Sequence, residues 1–336
     1  MPFYHSLNSK RAEDRRTAEG LIRLRTALRA EVPAKTLDSK LLLASWNIRE
    51  FGGTKSGGRE PEPLFYLAEV ISAFDLVAVQ EVRGNLDALD RLMNILGGWW
   101  KYLVTDVTQG QAGNAERLAF LYDERKVRFG GLAGELAGPS VKKGSKLVLP
   151  KAFARSPYLV GFRAGWFKFS LVTGHLYYGA SKPDDPQRLE EMKDLVKLLK
   201  ARVKDKDHWA RNVILLGDFN IFSDEDETFK ELEKAFDAPA AISGLKTNVD
   251  RTKPFDQIAF LSSNKDNKID NAQGGVFDFY KHVYRDGEEK AYKQSNAKRY
   301  RTWRTYKMSD HLPLWTEVAI DFGDEYLGKK AAKPNE

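Results

Sequence analysis

Apolar positions along the chain fall into short runs that read as strands. These are residues 41–48 (LLLASWNI), 75–82 (DLVAVQEV), 100–107 (WKYLVTDV), 116–123 (ERLAFLYD) and 126–132 (KVRFGGL). The rest are 158–164 (YLVGFRA), 166–178 (WFKFSLVTGHLYY), 213–220 (VILLGDFN), 255–261 (FDQIAFL) and 312–320 (LPLWTEVAI). Helical spacing appears between them. Leu21, Leu24 and Leu28 repeat at helical intervals within 9–32, ringed by arginines, and Pro33 ends that helix. Residues 61–74 open with proline, 85–98 close on glycines, and 185–203 form the longest pattern. Helices and hairpins are mixed, which predicts α/β layers with partly antiparallel sheets. The stretch 138–146 (GPSVKKGSK) reads as a loop. The chain divides into an N-terminal basic helix and linker over 1–36, a main domain over 37–322 and a tail over 323–336.

Several strands end on polar residues that a core does not need. Asn47 follows the first, and Gln80 and Glu81 end the second. His175 sits in an apolar context, Asp218 and Asn220 close VILLGDFN, Asp256 begins a strand, and Asp310 and His311 precede the last one. Side chains two apart on a strand share a face, so Asp218 and Asn220 are expected to project together from the strand end. Taken singly, such residues are turn formers or satisfied core groups. Taken together, they converge if the strand ends meet, as an α/β sheet allows.

Composition narrows the chemistry. Cysteine is absent, which excludes disulfides, thiolate catalysis and cysteine-bound metals. No apolar run approaches a membrane span, and the N-terminus lacks an apolar signal region, so a soluble cytoplasmic protein with no membrane partner is expected. The net charge of +7 suggests an anionic partner. Carboxylate and amide oxygens such as Glu81 and Asn47 suit a hard cation such as Mg²⁺. Asp218 and Asn220 suit orienting a water. Histidines held by carboxylates suit stabilising or protonating a phosphoryl transition state. The set therefore points to phosphoester cleavage.

The ordered elements WNI, QE, GHL, GDFN and SDH resemble the endonuclease/exonuclease/phosphatase superfamily, the DNase I-like fold, over about residues 40–322. The resemblance implies a four-layered sandwich of two mixed sheets with outer helices, and Mg²⁺ (or Mn²⁺) as cofactor. It implies metal-site roles for Asn47, Glu81 and Asp310. It implies catalytic roles for His175, Asp218, Asn220, Asp256 and His311, with Asp256 orienting His311 and Glu116 pairing His175. Arg155 matches a phosphate-contacting arginine. His175, Glu116 and Arg155 place the chain nearer DNase I than the abasic-site endonucleases. Asn114 departs from DNase I, which carries an aromatic residue there.

The stretch 290–307 (KAYKQSNAKRYRTWRTYK) combines basic and aromatic residues without an acid and directly precedes Ser309-Asp310-His311. It reads as a loop bordering the site. Arg299, Arg301 and Arg304 would meet phosphates, and Trp303 would stack on a base or brace the loop. Lys142, Lys143, Lys146 and Lys151 form a second basic stretch. A nuclease acting on nucleic acid, DNA in preference, is the first expectation. A phosphatase or phosphodiesterase for a small phosphorylated polyol or lipid headgroup is the alternative.

Overall fold

In the computed structural model, β1 (Lys40–Phe51) shows how the layers arise. Leu41 and Leu43 point into an apolar layer shared by two sheets, while Leu42, Ala44, Trp46 and Ile48 face helices on the other side. Period-two alternation with both faces apolar is what a strand covered on both sides requires. The structure describes residues 1–53, 58–108, 114–138, 141–143, 146–148, 153–205, 208–262 and 272–332, with backbone alone for 141–143 and 146–148. The side chains of Lys142, Lys143, Lys146 and Lys151 lie outside the described residues, as does the end of the tail, 333–336.

After β1 the strands are β2 (Leu76–Arg83), β3 (Trp100–Val104), β4 (Glu116–Asp123), β5 (Val127–Glu135), β6 (Val141–Lys143) and β7 (Lys146–Val148). They continue with β8 (Tyr158–Ala164), β9 (Phe167–His175), β10 (Asn212–Asp218), β11 (Phe236–Asp237), β12 (Asp256–Leu261), β13 (Gly274–Val276) and β14 (Leu314–Ala319). The helices are α1 (Ala12–Glu31), α2 (Pro61–Ser72), α3 (Asp87–Leu96), α4 (Pro186–Lys204), α5 (Glu227–Glu233), α6 (Ala297–Lys307) and α7 (Gly323–Ala331). One six-stranded sheet runs β13-β14-β1-β2-β4-β3 and the other β11-β12-β10-β9-β8-β5. Helices α1, α2 and α3 cover the first sheet, and α4 and α5 cover the second. The result is the expected four-layered sandwich of two mixed sheets.

Helix α1 belongs to the outer layer. Leu21, Leu24 and Leu28 sit in the same apolar cluster as the outer face of β1. Gly20 lets the helix approach α2, because a Cβ there would collide with the Tyr66 ring. Burying each such leucine contributes about 1.5–3 kcal/mol.

The topology gathers the polar residues at one end. Strands β1 and β2 run parallel, as do β9 and β10, so Asn47, Glu81, His175 and Asp218 all lie at C-terminal strand ends. Strand β12 is antiparallel to β10 and sets Asp256 opposite Asp218. Strand β4 is antiparallel to β2 and sets Glu116 opposite Arg83. Residues that begin β4 and β12 therefore share an edge with residues that end β1, β2, β9 and β10. Below that edge, the Gln80 amide nitrogen donates to Ser45 Oγ at 3.2 Å and Thr173 Oγ1 at 2.9 Å, tying the two sheets together.

Three expectations change. Residues 297–307, read as loop, form α6, with the Asn296 side chain accepting from the Arg299 N–H at its start. Part of 138–146, also read as loop, lies in the β6–β7 hairpin. Asp218 and Asn220 do not share a strand face. Strand β10 stops at Asp218, and Asn220 takes a left-handed φ of 51° in a turn. The turn wins because Asp218 Oδ1 accepts the Asn220 backbone N–H at 2.9 Å, which is the local bonding that makes aspartate a turn former.

Candidate active site

Asp218 is the hub. Its Oδ2 accepts a hydrogen bond from Asn47 Nδ2 at 2.9 Å, and it lies 3.5 Å from His175 Nε2 and 3.6 Å from His311 Nε2. The last two separations are long for hydrogen bonds, so both imidazole edges face Asp218 without being tied to it. Gly217 makes this placement possible. Its φ is 142°, and a Cβ there would strike the Gly174 backbone of the neighbouring strand. The Asn220 amide donates to the Leu176 carbonyl at 2.9 Å, which anchors the turn behind Asp218 to the strand carrying His175.

Each histidine is backed by a carboxylate. His311 Nδ1 donates to Asp256 Oδ2 at 2.8 Å, and His175 Nδ1 lies 3.0 Å from Glu116 Oε2. Burial alone would lower the His311 pKa, but Asp256 and Asp218 on opposite edges outweigh it and hold the imidazole well above its ordinary 6.5. Burial also raises the Asp256 carboxyl. The pair thus shares one proton, which resides on His311 because Asp218 flanks its other nitrogen. Phe255 packs on the ring at 5.6 Å and fixes its plane. Burial likewise opposes a charged Glu116, yet His175 and Arg155 together hold that carboxyl down at about 2.

Strict alternation would send Glu81 outward with Val77 and Val79, toward the helices. The pairing register of β2 instead slips between Val79 and Val82, and Glu81 adopts a φ of 63°. This bulge swings the carboxylate inward. Asn47 Nδ2 donates to Glu81 Oε1 at 3.0 Å, and the Glu50 N–H donates to Oε2 at 2.8 Å. A left-handed glutamate costs about 1–3 kcal/mol, a strain typical of functional sites.

The donor set fits a hard cation. Asn47 Nδ2 bridges two carboxylates, and Asn47 Oδ1 is buried without a hydrogen-bond partner. An amide oxygen and a carboxylate side by side are the ligands Mg²⁺ takes. Asp218, Asp256 and His311 also lie within 4.8 Å of one another. There His311 already spends Nδ1 on Asp256, so the Asn47–Glu81 pair suits a hard cation better. Asp310, read as a further metal ligand, is partly exposed and ion-paired with Arg49 at 3.4 Å.

Arg155, read as a phosphate contact, is buried with its Nε 2.6 Å from Glu116 Oε2. It therefore braces the Glu116–His175 pair. Glu191 on α4 accepts from the N–H groups of Ala154 at 2.7 Å and Tyr177 at 2.9 Å, clamping the turns beside Arg155 and His175.

The arginines of α6 also differ from expectation. Arg304 is buried and pairs with Asp286 at 2.9 Å, and Arg301 pairs with the same carboxylate at 3.0 Å. Trp303 packs among Tyr284, Tyr292 and Tyr300. These three are engaged in the scaffold, and among the described residues they form no ion pair or ring contact with a site residue. Arg299 is exposed at the far end of the helix.

The sequence reading missed three residues that organise the site. Ser309 Oγ donates to the Asn47 carbonyl at 2.7 Å and accepts from the N–H groups of Arg49 and His311 at 3.1 and 3.0 Å, so it joins the two halves. Its place within SDH was the available signal. Arg49 stacks on Tyr306 at 3.9 Å and leaves a partly exposed guanidinium beside Asp310. Arg59, fully buried, donates to the Tyr306 carbonyl at 3.0 Å and the Met308 carbonyl at 3.1 Å, and to those of Lys307 and Arg49. An isolated arginine eight residues beyond Phe51, the last residue of β1, carries no sequence signal for such a clamp.

A sequence profile of the Endonuclease/Exonuclease/phosphatase family matches residues 44–285. No curated protein sequence gives a match. Among solved structures, a mannosyl-6-phosphatase of Bacteroides thetaiotaomicron is 17% identical with a TM-score of 0.57, covering 83% of this chain and 99% of that one. A conserved protein of unknown function from Enterococcus faecalis is 18% identical with a TM-score of 0.54 over 83% and 99%. The human Nocturnin catalytic domain with bound sulfate is 13% identical with a TM-score of 0.52 over 83% and 94%. At these identities the likeness is one of fold, the DNase I-like sandwich. With its profile match spanning most of the sheets, the chain belongs to the endonuclease/exonuclease/phosphatase family, whose members are phosphoric ester hydrolases.

Proposed function

We propose that the chain is a divalent-cation-dependent phosphodiesterase, an endonuclease that hydrolyses nucleic acid with DNA preferred. The observation that carries this reading is Asp218 Oδ2 set between the Nε2 edges of two carboxylate-backed histidines, beside an oxygen-only pair. Asp218 takes a proton from the attacking water, whose oxygen forms the new bond to phosphorus. The opposite P–O bond breaks, and His311 gives its Nε2 proton to the departing oxygen. His175 donates toward the phosphoryl oxygens as negative charge grows there. Asn220 and Asn47 hold Asp218 in place. Glu81 and Asn47 would hold Mg²⁺ or Mn²⁺, which when bound would supply charge neutralisation at the phosphoryl group.

One observation favours the alternative, a small phosphorylated polyol or lipid headgroup: Arg301 and Arg304 are already engaged by Asp286. Among the described residues no helix is long and apolar enough to cross a membrane. The two readings separate on incubation with supercoiled plasmid, linear DNA, RNA and a phosphomonoester panel, each with Mg²⁺ and with EDTA. Nicking of plasmid that EDTA abolishes is expected. Phosphate release from monoesters without any strand cleavage would establish the alternative.

The cation assignment has its own test. Glu81→Gln should weaken Mg²⁺ or Mn²⁺ binding by roughly tenfold or more, by calorimetry on folded protein, because a charged ligand becomes neutral. Equal affinity in both proteins would remove Glu81 from the cation site.

A further inference from the structure

The cations of the stretch 290–307 divide into two groups. Arg301 and Arg304 are ion-paired with Asp286, and Lys307 lies 3.4 Å from Glu60. Lys290, Lys293, Lys298 and Arg299 are exposed and make no ion pair among the described residues. They cluster where the turn before α6 meets its first residues. Of the acids that flank them, Asp286 is taken by the two arginines, Glu288 is paired with Arg285 at 2.7 Å, and Glu289 is half-buried.

The turn is rigidly mounted. The Tyr292 ring packs against Tyr284, Tyr300 and Trp303, at 4.8, 5.8 and 5.3 Å. Its hydroxyl donates to Glu62 of α2 at 2.8 Å, and Arg16 of α1 covers its outer face at 4.5 Å. Glu62 also pairs with Arg16 at 2.7 Å. Four charges on a braced surface lose little freedom on binding, unlike charges on a loose loop.

Helix α6 links this cluster to the site. Its last turn carries Tyr306, which holds Arg49, and Arg49 pairs with Asp310 beside His311. From Lys298 to Tyr306 the helix rises about 12 Å at its ordinary pitch. Phosphates along one strand of a duplex advance about 3.4 Å each, so that interval equals roughly three to four nucleotides.

We infer that Lys290, Lys293, Lys298 and Arg299 form a second contact surface for a polyanionic strand, gripping the nucleic-acid backbone away from the cleaved phosphate, at the opposite end of α6 from Tyr306. This deepens the nuclease reading and rests on it for the identity of the strand. A small phosphoester would end well short of the surface. The surface acts through charge and carries no base readout, so its contribution is independent of sequence.

The test combines binding and cleavage. Lys298→Glu/Arg299→Glu keeps α6 intact, because acidic residues at a helix start favour the helix. Lys290→Ala/Lys293→Ala provides a second variant away from the helix. Binding of a 12-nucleotide single strand and of a short duplex is followed by fluorescence anisotropy in EDTA across a salt series. Cleavage with Mg²⁺ is followed on substrates that lengthen one nucleotide at a time from the dinucleotide. In the wild type, kcat/KM should climb with length and level off once the strand spans from the cleaved bond to the surface. The charge reversal should cut the ratio of long to short substrate kcat/KM by roughly tenfold and lower the salt slope by about two. The alanine pair should do the same in smaller measure. Length profiles and slopes that coincide in wild type and both variants, with the wild type cutting DNA, would overturn the inference alone. Salt-dependent binding that the variants weaken, without cleavage of any nucleic acid, would support the surface while removing the nuclease reading.

Discussion

Asp218→Asn should lower turnover by roughly 10²-fold or more, the scale of a lost acid–base group. The change is nearly isosteric, and the Asn220 backbone N–H that caps Asp218 Oδ1 finds an amide oxygen there instead. What disappears is the negative oxygen that faces Asn47 Nδ2 and the Nε2 edges of His175 and His311. Under the proposed mechanism, the attacking water then has no base. One of the two carboxylates that keep His311 charged is also gone. His311→Gln should be similarly damaging, because a side-chain amide cannot supply the proton that the leaving oxygen needs. Steady-state kinetics on a minimal diester, with circular dichroism as the folding control, checks both. Near-full turnover in either folded variant would exclude that residue from the chemistry.

The second large effect is on stability. Glu116→Gln should destabilise the protein by about 3 kcal/mol near neutral pH, with most of that difference vanishing in acid. The carboxyl is buried between His175, Arg155 and Arg83, and its pKa falls from the ordinary 4.5 to about 2. A group whose folded-state value is depressed stabilises the fold above its unfolded value. That stabilisation is lost as pH drops through the folded one. The window here runs from about 4.5 down to about 2. Glutamine also leaves the Arg155 guanidinium buried and unpaired, and breaking a buried pair costs about 3–5 kcal/mol. Urea denaturation of both proteins at intervals from neutral to acid pH measures the gap. A gap that stays constant across the window would mean that the charge of Glu116 contributes nothing.

Much of the site could be read from sequence for one reason. A polar residue that ends an apolar run is visible without knowing its neighbours. Asn47, Glu81, His175 and Asp218 each end or nearly end such a run, and Asp256 and Glu116 each begin one. The strands themselves were legible because residues such as Leu41 to Leu43 and Val213 to Leu216 are apolar on both faces. Helix α6 was not, because its buried side is made of Tyr300, Arg304 and Lys307, whose mixed chemistry gives no aliphatic stripe. Helix α7 buries none of its residues and left no apolar pattern to read.

By itself, the sequence determined which polar residues interrupt the apolar runs and that strand ends present them, since alternation and run length are local properties. The tertiary structure decided how those residues are used. The inward swing of Glu81 follows from a slip in pairing between β2 and its neighbours, a bond pattern that involves residues far apart in the chain. The position of Asp218 between two histidines depends on β10 lying beside β9 and near the turn that precedes β14. The division of the basic residues into paired and free depends on where Asp286 folds back onto α6. A carboxylate 3.0 Å away in space but 15 residues away in sequence changes what Arg301 can bind, and only the folded chain sets that distance.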